Sequence, residues 1–237
     1  MRRLALCLAL CLGLMLPCYA ESPEEVERPV RGYVALTFDD GPSGAMTERL
    51  LEGLRQRNAR ATFFLCGYRM EQFPDLMGKY LADGHELGVH STVHTDLTKL
   101  TPEELHQDMG ETAKRIQETS GVRPVLMRPP GGAYDETVLR EAAEEGLSVI
   151  LWSVDPRDWA THDAAAVLKT MARNTGSGDV ILMHDLSYSS VTAALRLVDQ
   201  LQRQGYSFVT VSELARLTGT ELAPGAVYQQ FRAGGEN

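Results

Sequence analysis

Five short segments of the chain gather the residue types that hydrolytic chemistry needs. At 37–42 the run Thr-Phe-Asp-Asp-Gly-Pro sets two adjacent carboxylates, Asp39 and Asp40, ahead of a Gly-Pro pair. That arrangement suits a tight turn, and it equally suits a metal ligand beside a general base. At 90–94 the run His-Ser-Thr-Val-His carries two imidazoles four residues apart. The helical zinc-protease motif has this spacing but needs Glu directly after the first His; Ser91 stands there, so a protease is excluded. What remains is a strand or loop that sets His90 and His94 on one cation, or two unrelated polar histidines. At 128–132, Arg-Pro-Pro-Gly-Gly follows Arg128 with prolines that stiffen the backbone and glycines that let it approach a ligand closely. Asp-Pro-Arg-Asp-Trp at 155–159 and Leu-Met-His at 182–184 complete the set. No G-x-S-x-G elbow is present, which disfavours a serine esterase.

The elements that must position these segments follow from the hydrophobic pattern. Short apolar runs predict strands over 33–38, 61–65, 86–90, 125–128, 147–152, 180–184 and 206–210. Amphipathic stretches predict helices over 46–57, 102–119, 136–145, 164–174 and 191–204; Thr101, Pro102 and Glu104 supply a capping box with proline at the first helical position. Strands alternating with helices argue for a parallel α/β architecture, and an open doubly wound sheet and an incomplete barrel both satisfy the pattern. In either, the C-terminal strand ends converge on one face, and the five segments all sit at such ends. His85, His106 and His162 do not, and read as structural or solvated.

These segments, in this order, resemble the polysaccharide deacetylases of carbohydrate esterase family 4 over about residues 32–217. The resemblance implies a distorted, seven-stranded, TIM-like (β/α) barrel that binds one divalent metal ion, zinc foremost with cobalt or another ion as alternatives. It implies removal of acetyl groups from N-acetylated sugars. By the same resemblance Asp40, His90 and His94 are metal ligands, Asp39 is the general base paired with Arg128, and His184 is the general acid held by Asp158. Leu182 and Trp159 would line an apolar pocket for the acetyl methyl, and the Gly131 backbone N–H would help hold the oxyanion. One departure stands out: many members carry an aromatic or other bulky residue where this chain has Gly131, so the groove wall is opened here. The expected substrate is the N-acetylglucosamine of peptidoglycan. Chitooligosaccharides and O-acetylated xylan are alternatives, as is a silent glycan-binding module.

The whole-chain arithmetic agrees with a secreted enzyme. With 237 residues, 43% hydrophobic and 23% charged, the chain suits one globular domain and excludes collagen-like, disordered and disulfide-framework classes. A net charge of −9 argues against a nucleic-acid partner. Arg2 and Arg3, an apolar run at 4–16 and then Pro17 to Ala20 predict an export signal cleaved after Ala20, with an uncleaved anchor as the alternative. Cleavage would remove two Arg and no acid, taking the net charge to −11, and would remove Cys7, Cys11 and Cys18, leaving Cys66 as a buried thiol. The expected plan is a signal over 1–20, a flexible leader over 21–31, a catalytic domain over 32–218 and a tail over 219–237 that frays from 225. A monomer without an obligate protein partner is expected.

Overall fold

Strand β1 (Gly32–Gly41) organises the sheet and is buried along nearly all its length, as a strand covered on both faces must be. The computed structural model describes residues 30–232, so the expected signal over 1–20 and most of the leader lie outside the described residues. After β1 come α1 (Ala45–Arg55), β2 (Thr62–Leu65), α2 (Gly67–Gln72), α3 (Met77–Ala82), β3 (Glu86–Val89) and α4 (Pro102–Ser120). Then follow β4 (Leu126–Met127), α5 (Glu136–Glu144), β5 (Ser148–Ile150), α6 (Ala164–Asn174), β6 (Val180–His184), α7 (Tyr188–Arg203), β7 (Tyr206–Val209), α8 (Val211–Thr218) and β8 (Val227–Tyr228).

Every ladder between these strands is parallel, and the path runs β6-β1-β2-β3-β4-β5-β8 with β7 against β1. Ala35 pairs both Val180 and Val209, so β6 and β7 lie on opposite edges of β1. The sheet curls until Val154, just past β5, bridges Ile181 of β6, where the Leu182 N–H donates to the Val154 carbonyl at 2.9 Å. This is the distorted (β/α) barrel that the motifs imply, with seven parallel strands and a two-residue eighth.

The two-residue period of strands then decides which side chains face the site. Val34, Leu36 and Phe38 of β1 join the large outer core against the helices, while Ala35 belongs to the inner cluster with Phe64, Leu126, Ile150 and Val180. Residues 37 and 39 share the inward parity of Ala35; Arg128 shares that of Leu126, and Leu182 and His184 that of Val180. The strands thus send their polar residues to one interior.

Two expectations need correction. The tail does not fray at 225: β8 pairs β5, Phe231 is fully buried, and the Phe231 N–H donates to the Gly178 carbonyl at 2.7 Å. A glycine-rich, polar composition hides Val227, Tyr228 and Phe231, which fill the seam of the sheet. Helices α2, α3 and α8 were also unforeseen. The first two have only six residues, too few for a periodic signal, whereas α8 carries a full capping box from Thr210 and Glu213. The capping box expected at Thr101 and Glu104 is present. Among the described residues no helix is long and apolar enough to cross a membrane.

Candidate active site

At the C-terminal end of β1 the chain needs two neighbouring carboxylates on one side, which strand alternation forbids. Asp40 solves this with a φ of 67°, in the left-handed region that disfavours a side chain by about 1–2 kcal/mol. Its Oδ1 comes within 3.3 Å of His90 Nε2 and 3.2 Å of His94 Nε2, while Asp39 Oδ2 stands 3.8 Å from the same His90 nitrogen. Burial opposes ionisation of Asp40, but the imidazoles of His90, His94 and His184 outweigh it and hold its pKa below the usual carboxylate value.

His90 directly follows β3, and its Nδ1 lies 2.7 Å from the Arg128 carbonyl. A carbonyl only accepts, so Nδ1 donates there and Nε2 is the nitrogen turned toward Asp40. Between the histidines the loop turns through left-handed φ values at Ser91 (66°) and His94 (58°). Asp108 on α4 holds that loop, accepting from the Ser91 hydroxyl at 3.1 Å and the Thr92 N–H at 2.9 Å. Beneath it, the buried Cys66 thiol donates to the His90 carbonyl at 3.3 Å; burial, with Asp40 and Asp39 nearby, pushes its pKa up and leaves it inert.

Asp40, His90 and His94 fit a divalent metal ion. Their three donor atoms lie within 4.8 Å of one another, and the buried Asp40 Oδ1 makes no hydrogen bond of acceptable geometry despite its two nitrogen neighbours. A tetrahedral ion with ligands at about 2.0–2.1 Å sets them about 3.3–3.4 Å apart, which the two Asp40 distances match. His94 is half exposed, so the position opens outward to the cavity mouth.

Behind Asp39 lies Arg128, 0% exposed. Its guanidinium donates to Asp39 Oδ1 at 2.7 Å, Thr37 Oγ1 at 2.8 Å, the Ile150 carbonyl at 2.9 Å and the Leu151 carbonyl at 2.8 Å. Its planar cation also lies over the Phe64 ring at 4.2 Å. A buried guanidinium bonded this fully fixes Asp39 Oδ1 and leaves Oδ2 toward the metal-ligand side.

Across the site, His184 closes β6 as the register partner of Asp39. Asp158 accepts twice from this residue, from Nδ1 at 2.9 Å and from the backbone N–H at 2.9 Å, so Nε2 is the outward-facing nitrogen. Burial works against the imidazolium, but Asp158, with Asp39 and Asp40 adding to it, outweighs burial and raises the pKa to about 9.

Eight of the ten residues expected at the site line one open cavity of about 420 Å³: Asp39, Asp40, His90, His94, Gly131, Trp159, Leu182 and His184. Arg128 and Asp158 stand behind it as supports. Leu182 is buried in the floor, whereas Trp159 is 58% exposed at the rim. Gly131 sits at a φ of 64°, and a Cβ there would meet nothing within 4 Å, so the wall beside it is open. Of the other histidines, buried His85 accepts from the Ala61 N–H at 3.1 Å, His106 pairs with Glu145 at 3.0 Å, and His162 is exposed in a loop.

Four contributors carried no role in the sequence reading: Thr37, Asp108, Trp152 and Asp155. Thr37 was findable, since it shares the inward parity of Asp39. Trp152 and Asp155 line the cavity and lie in or beside segments already singled out. Asp108 had no signal, because one acid on an amphipathic helix looks like any solvated residue.

Comparison with known proteins places this geometry. The polysaccharide deacetylase family model matches residues 27–150, a span that holds the two aspartates, the two histidines, Arg128 and Gly131 but ends before Asp158 and His184. A peptidoglycan-N-acetylglucosamine deacetylase of Bacillus cereus is 39% identical over 188 residues, covering 77% of this chain and 88% of that protein. The peptidoglycan-N-acetylglucosamine deacetylase PgdA of Listeria monocytogenes is 38% identical over 199 residues, 84% of this chain; the match spans only 42% of that longer protein. Among solved structures, one described as T48 deacetylase with substrate superposes with a TM-score of 0.78 at 36% identity, covering 84% of this chain and 96% of that one.

Proposed function

This chain belongs to the polysaccharide deacetylase family, and from that premise we propose that it hydrolyses the acetamide of N-acetylated sugars in a glycan, with peptidoglycan N-acetylglucosamine as its physiological substrate. The observation that carries the reading is the pairing of Asp39 with His184 across adjacent strands, with Asp40, His90 and His94 beside them. A base and an acid thus flank one set of metal ligands.

Asp40, His90 and His94 would hold one divalent ion, zinc by its affinity for two imidazoles and a carboxylate, with cobalt or another divalent ion also compatible. Such an ion, when bound, acidifies water and polarises the acetyl carbonyl. The chain's own residues supply the rest. Asp39 Oδ2 takes the proton of the attacking water, while Arg128, itself held by the Thr37 hydroxyl, keeps that carboxylate oriented. The Gly131 backbone N–H contributes to holding the oxyanion, and the preceding Pro129 and Pro130 stiffen its approach. His184 Nε2 gives a proton to the departing amine, with Asp158 fixing the ring and favouring its charged form. Leu182 and Trp159 take the acetyl methyl.

The relatives' names support peptidoglycan, and the open wall at Gly131 leaves room for a neighbouring lactyl-peptide sugar. Export through a signal over 1–20, action in the cell envelope or outside it, and a monomeric state belong to the same reading. The test measures acetate release from peptidoglycan strands, chitopentaose and acetylated xylan, before and after chelation. Release from the two amide substrates, abolished by chelator and restored by zinc or cobalt, is expected. Turnover of xylan alone would move the enzyme to O-acetyl esters, and binding without acetate release would make it a silent module.

A further inference from the structure

Of the exposed large apolar side chains among the described residues, Val93, Tyr134, Trp159, Leu186 and Tyr188 follow the C-terminal ends of strands β3 to β6, the end of the sheet that carries the site. Exposed apolar groups gathered on one face mark a binding surface. Tyr188 is the most exposed of them at 64%, and it stands four residues past His184 as the first residue of α7.

Its ring is not loose. The Arg49 guanidinium of α1 lies over one face, 4.0 Å from the centroid, and donates in turn to Thr192 Oγ1 at 3.2 Å. Helices α1 and α7 follow β1 and β6, the adjacent strands that end in Asp39–Asp40 and His184. The ring is thus fixed at the end of the sheet that carries the site, backed by a cation on one side and open to solvent on the rest. Trp159 is built the same way on its own strand end, with Arg157 5.3 Å from its ring.

We infer that Tyr188, backed by Arg49, is a subsite that stacks a pyranose ring of the glycan next to the residue being deacetylated, on the His184 side. A cavity of about 420 Å³ takes the reacting sugar, and a polymer must leave it over the rim. A pyranose presents a face of C–H groups suited to the open face of an aromatic ring, while Arg49 holds the other face in place.

The inference rests on the deacetylase reading, so its test starts from binding. Chitopentaose is titrated calorimetrically into the Asp39→Asn variant with and without Tyr188→Ala. Removing the ring should weaken affinity about tenfold, the scale of one aromatic contact, and Tyr188→Trp should restore it. In the otherwise wild-type enzyme, Tyr188→Ala should raise KM for chitopentaose by a similar factor, with kcat kept and turnover of a small aryl acetate unchanged. Unchanged pentaose affinity, or an equal loss on the aryl acetate, would overturn the subsite. A protein that binds pentaose through Tyr188 yet releases no acetate would instead refute the deacetylase reading alone.

Discussion

Asp158 and His184 make the site sensitive to alkali in a defined direction. The folded pKa of His184, about 9, lies above its ordinary 6.5. The stabilisation from its pairing is therefore complete below about 6.5 and disappears as pH rises through about 9. Activity that needs the imidazolium falls over the same upper range. A divalent ion held by Asp40 would oppose the part contributed by Asp39 and Asp40 and leave that of Asp158, so binding the metal should move the alkaline loss of activity to lower pH. Asp158→Asn keeps the size and removes the charge. The alkaline limb of kcat/KM should move to lower pH, with the His184 ring titration followed by NMR moving alongside it; an unmoved limb would assign it to another group. Asp39→Asn should cost about a hundredfold or more in kcat while the protein keeps its metal, because the proposed mechanism makes Asp39 the base and not a ligand. His90→Ala should lose the metal outright, and metal analysis of both variants separates the roles. Loss of metal from Asp39→Asn would exchange the assignments of Asp39 and Asp40.

Helix α4 stands behind the proposed metal ligands although it contributes none, because Asp108 carries the Ser91–Thr92 turn between the two histidines. Asp108→Ala should weaken zinc affinity about 10–100-fold, read by chelator competition, while Asp108→Asn keeps an acceptor and should recover most of it. Equal affinity in all three proteins would make α4 a bystander. The same helix shows what a sequence makes legible. Its limits, its capping box and its amphipathic face could all be read from local periodicity, and the strand ends could be located because each motif closes an apolar run. Asp108 could not, since its meaning lies in a loop 16 residues away that it meets only after folding. For the same reason the motifs at 37–42 and 182–184 identified Asp39 and His184 but not their facing register, which depends on strand order. Short α2 and α3 left no periodicity to find, and β8 is two residues whose burial comes entirely from the strands it meets.

Across the whole molecule the barrel is finished by contacts between distant parts of the chain. Phe231 fills the seam near β8, and its carbonyl lies so close to Gly178, at a φ of 88°, that a Cβ there would sit 2.0 Å from the oxygen. Phe231→Ala should cost about 3–5 kcal/mol in denaturant unfolding, the usual cost of emptying a buried aromatic site. Gly178→Ala should also destabilise, although it removes nothing, because the two chain segments can no longer touch. Unfolding midpoints equal to wild type in both variants would show that the seam carries no stability. The strand order also divides the site. Asp39, Asp40, His90 and His94 lie on β1, β3 and the turns after them, joined through β2. The proposed acid half, Asp158 and His184, comes much later in the chain, together with the β6 that covers the other edge of β1. The site is therefore split along the chain, its proposed metal ligands early and its proposed acid late, and a chain ending before β6 would leave one edge of β1 without its strand partner.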